Sequence, residues 1–177
     1  VRLPGCYLCS DNTNAITDPK KLDRNEVCPL DKAGFVFCSF NNIWKITSKE
    51  FNIWMRLLKQ NPGSILWLRS DLDTAIQNLK LEAKARKIDP GRLIFAEKTD
   101  IAEHLARHQQ ADLFLDTFAY NAHATALDAL WAGLPLLTMR GDSFPSRVGA
   151  SILSAAELPE LITASEHEYE SKAQWLV

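Results

Sequence analysis

At 177 residues, 46% hydrophobic and 24% charged, the chain holds enough apolar material for one domain with a full core. A net charge of −2 with no basic block argues against nucleic acid as the main partner, and no apolar run approaches membrane-spanning length. No charged-then-apolar leader opens the chain, so a cytoplasmic setting is expected; the start at Val1 and the apolar helical end suggest a piece of something longer.

Residues 1–33 lack sustained periodicity, are rich in Asp, Asn, Pro and Lys, and read as a linker or loop leading into a domain over 34–177. Cys6-x-x-Cys9 is half of a metal or redox motif with no second pair to complete it. Cys38 falls in an apolar run, where Cys behaves as a small hydrophobe. Reduced thiols and no metal site are the expectation.

Gly34 to Phe40 is a strand, apolar nearly throughout as in the inside of a parallel sheet, and Asn41 to Lys45 is the loop after it. Thr47-Ser-Lys-Glu50 is a capping box for a helix buried through Phe51, Trp54, Leu57 and Leu58, broken at Asn61-Pro-Gly63. Ser64 to Arg69 is the second strand, and a helix runs from about Asp71 to Lys87. Asp89-Pro-Gly91 turns the chain into a third strand, Arg92 to Ala96, and Asp100 with Glu103 opens a helix carrying His104, Arg107 and His108.

Ala111 to Leu115 is the fourth strand. It feeds a loop and then a helix whose first turn is expected to hold Asn121, His123 and Thr125, with Leu127, Leu130 and Trp131 on its apolar stripe. Gly133 and Pro135 end that helix in the usual order. A fifth strand covers Leu134 to Thr138, a helix Ser146 to Ala156, a short sixth strand Leu158 to Thr163, and a last helix, capped by Ser165 with Glu168, reaches Trp175. This alternation is the α/β pattern of a Rossmann-like, doubly wound parallel sheet, whose ligands gather at the carboxyl ends of the strands.

The polar groups of interest all follow strands. Asn42 and Lys45 follow the first, Thr99, His104 and Arg107 the third, and Asn121 to Asp128 the fourth. A helix start offers free N–H groups and a dipole to a phosphate; Ala122, Ala124 and Ala126 keep the approach open while His123 and Thr125 add donors. Lys45 supplies a point charge, Asp128 reaches for a ribose hydroxyl, and His104 with Arg107 share a helix face that suits a base. Blander readings stand beside these: Asn121 as an ordinary N-cap, Lys45 as a solvated lysine, Asp128 as a surface acid. The absence of G-x-G-x-x-G, G-x-x-x-x-G-K and G-x-S-x-G lowers dinucleotide oxidoreductases, P-loop enzymes and α/β hydrolases. The residues themselves lead to a phosphorylated or nucleotide ligand and stop short of a reaction.

Phe40-Asn-Asn-Ile-Trp-Lys45, Glu103-His-x-x-Arg107, Leu115-Asp-Thr117, Asn121-x-His-x-Thr-x-x-Asp128-x-Leu-Trp-Ala-Gly-x-Pro135 and Ser146-Arg-Val148 follow in order. Together they resemble the carboxyl-terminal catalytic lobe of the O-linked N-acetylglucosamine transferase / SPINDLY family, over nearly the whole chain from about residue 30. The resemblance implies one Rossmann-like lobe of an inverting, metal-independent GT-B glycosyltransferase that takes a UDP-sugar donor and uses no cofactor. It also implies an amino-terminal lobe and tetratricopeptide repeats upstream that present protein Ser/Thr acceptors.

By the same resemblance, Lys45 is the essential catalytic lysine on the diphosphate, with Asn42 replacing a glutamine that helps it. His104 stacks on uracil, Arg107 lies beside the base, and the backbone near Thr99 meets the base edge. His123, the amide of Ala124 and Thr125 form the phosphate-binding helix start, and Asp128 holds the ribose. Two departures are visible: Ile101 replaces a ribose-binding lysine of animal members, and Ala124 replaces a threonine. SPINDLY-type fucosyltransferases carry a threonine-rich run where this chain has Asn-x-His-x-Thr-x-x-Asp, which favours UDP-N-acetylglucosamine over GDP-fucose. The expectation is a donor-binding half that is inactive without its partner lobe; a different GT-B donor and a non-catalytic nucleotide-sugar-binding module are the alternatives.

Overall fold

The computed structural model describes Cys6, Leu8, Ile16, residues 34–70 and residues 72–177. Most of the linker expected over 1–33, with Cys9 and Cys28, lies outside the described residues, as does Asp71. The expected strands and helices are all present, mostly shorter than their sequence bounds. They are β1 Val36–Ser39, α1 Ser48–Gln60, β2 Ile65–Arg69, α2 Asp73–Ala85, β3 Leu93–Ala96 and α3 Ile101–His108. β4 Leu113–Leu115, α4 Ala124–Trp131, β5 Leu136–Met139, α5 Val148–Ala155, β6 Ile162–Thr163 and α6 Glu166–Trp175 complete the order. Short 3-10 turns occupy Pro90–Arg92 and Pro159–Leu161, which confines β6 to two residues.

Every strand pairing is parallel, in the order β3-β2-β1-β4-β5-β6. That is the doubly wound, Rossmann-like arrangement expected, with its topological switch point between β1 and β4. Alternating side chains sort into two cores. Phe37, Leu66, Leu68, Leu113, Leu115 and Leu137 pack with Trp54, Leu57 and Tyr169 on one face. Val36, Cys38, Ile65, Trp67, Phe114 and Leu136 pack with Ala126, Ala129 and Ile152 on the other, joined by Cys6 and Leu8. Cys6 and Cys38 are free thiols.

The capping signals work as read. The Glu50 carboxylate accepts the Thr47 N–H at 2.7 Å and its hydroxyl at 2.5 Å, and the Thr47 hydroxyl accepts the Lys49 N–H at 3.3 Å. Asp100 takes the Glu103 N–H at 2.9 Å and Ser165 the Glu168 N–H at 3.1 Å. The Arg56 guanidinium grips Glu170 with bonds of 2.8 and 2.6 Å and ties α1 to α6.

Two expectations about α4 need correction. The helix begins at Ala124, so Asn121 lies upstream of its first turn, and His123 occupies the N-cap without a side-chain bond there. Asn121 does not cap α4 because its amide is engaged elsewhere, donating to the Thr117 carbonyl at 2.7 Å and accepting, at 3.2 Å, the N–H of Gly149 in the first turn of α5. The fully buried positions of α4 are Ala126 and Ala129 rather than those of the expected stripe, of which Leu127 and Leu130 pack half-buried against the same core. Small residues let the helix lie close to the sheet, which leaves Leu127, Leu130 and Trp131 at its margin. They line an open groove of about 330 Å³ with Cys6, Ile152 and Ala155, and Trp131 stays 45% exposed.

Helices α2, α4 and α5 end in the same Schellman geometry. In α4 the Leu134 N–H reaches back to the Ala129 carbonyl at 2.9 Å across Gly133, whose φ is +83°. The equivalent left-handed positions in α2 and α5 hold Lys87 (φ 63°) and Glu157 (φ 59°), where a Cβ is strained. Gly133→Ala, with nothing within 4 Å to clash, is therefore expected to cost about 1 kcal/mol from φ alone. Glu157→Gly is expected to stabilise by about 0.5 kcal/mol, strain relief being partly offset by unfolded-chain entropy. Opposite shifts of the urea midpoint at unchanged slope would register both.

Candidate functional site at the carboxyl edge of the sheet

Beyond β1 the chain makes a 3-10 turn, Ile43–Lys45, closed by the Lys45 N–H on the Asn42 carbonyl at 3.0 Å. The turn folds Lys45 back over the sheet edge, where the side chain is buried rather than solvated. Its ammonium donates to the Asn121 carbonyl at 2.9 Å and to Asn41 Oδ1 at 3.4 Å, and lies 4.3 Å from the centre of the Tyr120 ring. Burial pulls the Lys45 pKa down from its ordinary value and the negative charge of Asp116 pushes it back up. Asn42, by contrast, is exposed and its side chain makes no capping bond.

The other side of the switch point is the loop from β4 to α4. The Asp116 carboxylate accepts the N–H groups of Thr117 (2.8 Å) and Ala122 (2.6 Å), the Asn41 amide (3.3 Å) and the Thr138 hydroxyl (2.7 Å). Asn121 N–H donates to the Pro145 carbonyl at 2.9 Å, so the loop after β5 braces the loop before α4. These bonds set the path into the helix start. There the Ala126 N–H turns back to the His123 carbonyl at 3.0 Å, leaving the N–H groups of Ala124 and Thr125 as the orphan donors of the first turn. His123 stacks on Tyr120 with ring centres 4.8 Å apart. Burial and the nearby Lys45 charge lower its pKa, keeping the imidazole neutral.

Along the same edge α3 carries the base-facing candidates. His104 is half-buried, its ring 5.7 Å from that of Phe40, the residue that leads into Asn41. Its pKa is lowered to about 4 by burial, with the Arg107 and Arg69 charges adding. The Arg107 guanidinium lies 5.9 Å from the Trp67 ring and donates to the Glu97 carbonyl at 3.0 Å. The Thr99 hydroxyl is bonded to Glu103, which leaves its backbone as the group open to a ligand. Asp128 is half-buried on α4 with its pKa raised by burial alone.

The structure thus joins Lys45, His123, Ala124 and Thr125 at the switch point and links His104 to them through Phe40. Asn42 joins the group only through its carbonyl, which accepts the Lys45 N–H, and among the described residues neither its side chain nor that of Asp128 bonds to the group. Sequence reasoning missed Asn41, Asp116 and Tyr120 as parts of the site. The available signal was Asp116 itself, a carboxylate closing an apolar strand. Among the described residues no three His, Cys, Asp or Glu side chains gather as a metal centre, and no helix is long and apolar enough to cross a membrane.

Residues 21–176 match the family model described as Glycosyl transferase family 41. The chain is 38% identical over 144 residues to the UDP-N-acetylglucosamine–peptide N-acetylglucosaminyltransferase of Caenorhabditis elegans, covering 81% of this chain and 12% of that protein. It is 33% identical over 177 residues to the probable enzyme of that name, SEC, of Arabidopsis thaliana, covering 98% and 18%. The Arabidopsis protein named SPINDLY shares 33% over 182 residues, covering 96% and 18%. A solved O-GlcNAc transferase mutant of Thermobaculum terrenum superposes with a TM-score of 0.78 at 28% identity, covering 81% of this chain and 28% of that one. The chain therefore spans only 12% to 18% of the length of these curated relatives.

Beneath His104 lies His108, fully buried, its Nδ1–H donating to the His104 carbonyl at 2.8 Å and its Nε2 meeting no donor among the described residues. Burial lowers its pKa to about 3, with the neighbouring His104 adding. Both histidines have folded values below the ordinary 6.5, so their stabilising contribution is complete above that pH and is lost as pH falls toward 4. Asp116 has the opposite sign: its folded value of about 7 lies above 3.8, so its contribution is lost as pH rises through that window. The comparison of wild type with His108→Phe isolates one histidine from these opposing terms. Urea unfolding at about pH 7, 6 and 5 is expected to show the wild type losing stability relative to the variant at each step.

Proposed function

The chain belongs to glycosyl transferase family 41, and from that premise we propose that residues 34–177 are the nucleotide-sugar-binding lobe of a protein O-glycosyltransferase. The whole enzyme would be of GT-B type, inverting and metal-independent, carrying N-acetylglucosamine from UDP-N-acetylglucosamine to Ser or Thr hydroxyls. Its relatives' names describe that transfer, from UDP-N-acetylglucosamine to peptide. The observation that carries the proposal for this chain is the buried Lys45 ammonium beside the orphan N–H groups of α4, at the switch point of the sheet.

The chemistry follows from those groups. A hydroxyl oxygen of the acceptor attacks the anomeric carbon from the face opposite the diphosphate. The carbon–oxygen bond to phosphate breaks, and its electron pair leaves on the nucleoside diphosphate. Lys45 and the amides of Ala124 and Thr125 stabilise that developing charge with donors already in place. The Thr125 hydroxyl adds a donor to the phosphates, His123, whose ring N–H is held by the Pro145 carbonyl, shapes the helix start, and the exposed Asn42 stands at the mouth beside Lys45. The acceptor proton goes to a base in an amino-terminal lobe outside this chain, so the isolated lobe binds donor without turnover.

At the other end, the neutral His104 ring stacks on uracil, with Arg107 and the Thr99 backbone at the base edge. Asp128 accepts from ribose hydroxyls; its carboxylate meets no donor among the described residues and burial raises its pKa, which suits a carboxylate waiting for donors. No resident cofactor enters this scheme. The protein acceptor is presented by upstream tetratricopeptide repeats, in the cytoplasm.

Calorimetric titration of UDP and of GDP into the chain tests this. UDP is expected to bind in preference. Lys45→Ala is expected to weaken it by about 2 kcal/mol, the worth of a charge-assisted bond, and His104→Ala by about 1 kcal/mol through lost stacking. Preference for GDP would move the donor to a guanine nucleotide sugar, and indifference of UDP binding to both substitutions would remove the site.

A further inference from the structure

Lys45 is the charged centre of the site, yet among the described residues no carboxylate lies within ion-pair distance of it. An ammonium has three N–H donors. Two of them meet neutral oxygens, the Asn121 carbonyl at 2.9 Å and Asn41 Oδ1 at 3.4 Å. The nearest negative charge stands one side chain further back: Asn41 Nδ2 donates to Asp116 Oδ1 at 3.3 Å and to Thr117 Oγ1 at 3.2 Å. These contacts fix which way the amide faces, since a flipped Asn41 would turn its NH₂ toward the ammonium and its oxygen toward a carboxylate.

We propose that Asp116 and Asn41 are positioning residues for Lys45: a buried carboxylate acts on the ammonium through one intervening amide and leaves the cation unquenched for an incoming diphosphate. The inference rests on the donor-binding reading of the site for its purpose, though its geometry stands in the free protein. A carboxylate in direct contact would hold Lys45 as a closed ion pair, and a diphosphate would have to displace it against like-charge repulsion. With Asn41 between them, Asp116 still favours the charged lysine while its own oxygens face inward, to Thr117, Ala122 and Thr138. No third oxygen among the described residues meets the ammonium, which has only the Tyr120 ring 4.3 Å away on its remaining side, so its third N–H can turn to a ligand oxygen.

Among the described residues, the titratable groups around Lys45 are Asp116, His123 and the Tyr120 phenol. Asp116 is the one carboxylate among them, and with a folded value of about 7 it carries its charge on the alkaline side of neutrality, where Lys45 is followed.

Asp116→Asn is a fair probe because its two oxygens differ. Oδ1 takes the N–H groups of Thr117, Ala122 and Asn41, whereas Oδ2 takes only the Thr138 hydroxyl, which can reverse and accept from an amide. The experiment follows the side-chain ammonium and Cε resonances of Lys45 by NMR in the ligand-free 177-residue chain, assigned with Lys45→Arg, through the alkaline range. The Lys45 midpoint is expected to move to lower pH in Asp116→Asn. In Asn41→Ala, which keeps the carboxylate, the slowly exchanging ammonium signal is expected to disappear.

An unmoved midpoint in folded Asp116→Asn overturns the proposal. Should that variant not fold, an unchanged ammonium signal in Asn41→Ala overturns it instead. A parallel UDP titration keeps the two readings apart. The expected NMR changes without UDP binding would count against the transferase reading alone. UDP binding without those changes would count against the relay alone.

Discussion

The carboxylate of Asp116 gathers the carboxyl edge of the sheet into one piece. Fully buried at the end of β4, it accepts hydrogen bonds from the loop that follows, from Asn41 after β1 and from Thr138 on β5. Its own carbonyl takes the Tyr169 hydroxyl of α6 at 3.2 Å. An ionisable group so deep in the protein is tolerable only when its lone pairs are met, and here the donors come from three separate stretches of chain. Helix α5 passes so close that a Cβ on Gly149 would stand 2.5 Å from Thr138 Oγ1 and 2.7 Å from Asp116 Oδ2. A glycine is therefore required at that position.

That anchoring explains how two loops far apart in sequence present donors to one point. The switch between β1 and β4 opens a crevice because the chain leaves the two strands toward opposite faces of the sheet. Asn121 then joins the two sides: its carbonyl accepts from Lys45, its N–H holds the Pro145 carbonyl, and its amide reaches Thr117 and Gly149. Donors locked in this way are already oriented before a ligand arrives, which is the condition under which they stabilise developing charge without reorganisation.

Most of the fold was legible because its signals are local. Alternating apolar strands, the Thr47–Glu50 box, the Asp100 and Ser165 caps and the Gly133 stop each act within a few residues, and each is present in the structure. The errors were long-range. Asn121 resembles an N-cap in sequence, but its partners lie at Thr117, Gly149 and Lys45. Leu127, Leu130 and Trp131 form the more apolar stripe, yet close approach of α4 to the sheet selected the alanines. Lys45 was found by its position after a strand and by the family resemblance. The 3-10 turn folds it inward onto Asn121 and Tyr120, more than seventy residues distant, which no local pattern encodes.

The distribution of charge along this edge bears on how such a site sorts ligands. Lys45 and the start of α4 carry positive charge at one end, where any diphosphate would be attracted alike, and Arg107 and Arg69 carry it beside His104 at the other. At the far end the imidazole of His104 is neutral at physiological pH, edge-on to Phe40 and to the buried His108. Ile101, one turn before His104, is 47% exposed and offers no charge to a ribose. In the proposed donor-binding reading, attraction comes mainly from the Lys45 end, and shape, stacking, the Arg107 charge and backbone donors discriminate at the base end. With the Asp116 carboxylate withheld from direct contact with Lys45, the attraction would stay available to the ligand. The selectivity proposed for the lobe would then rest on groups whose protonation does not change between about pH 6 and 8.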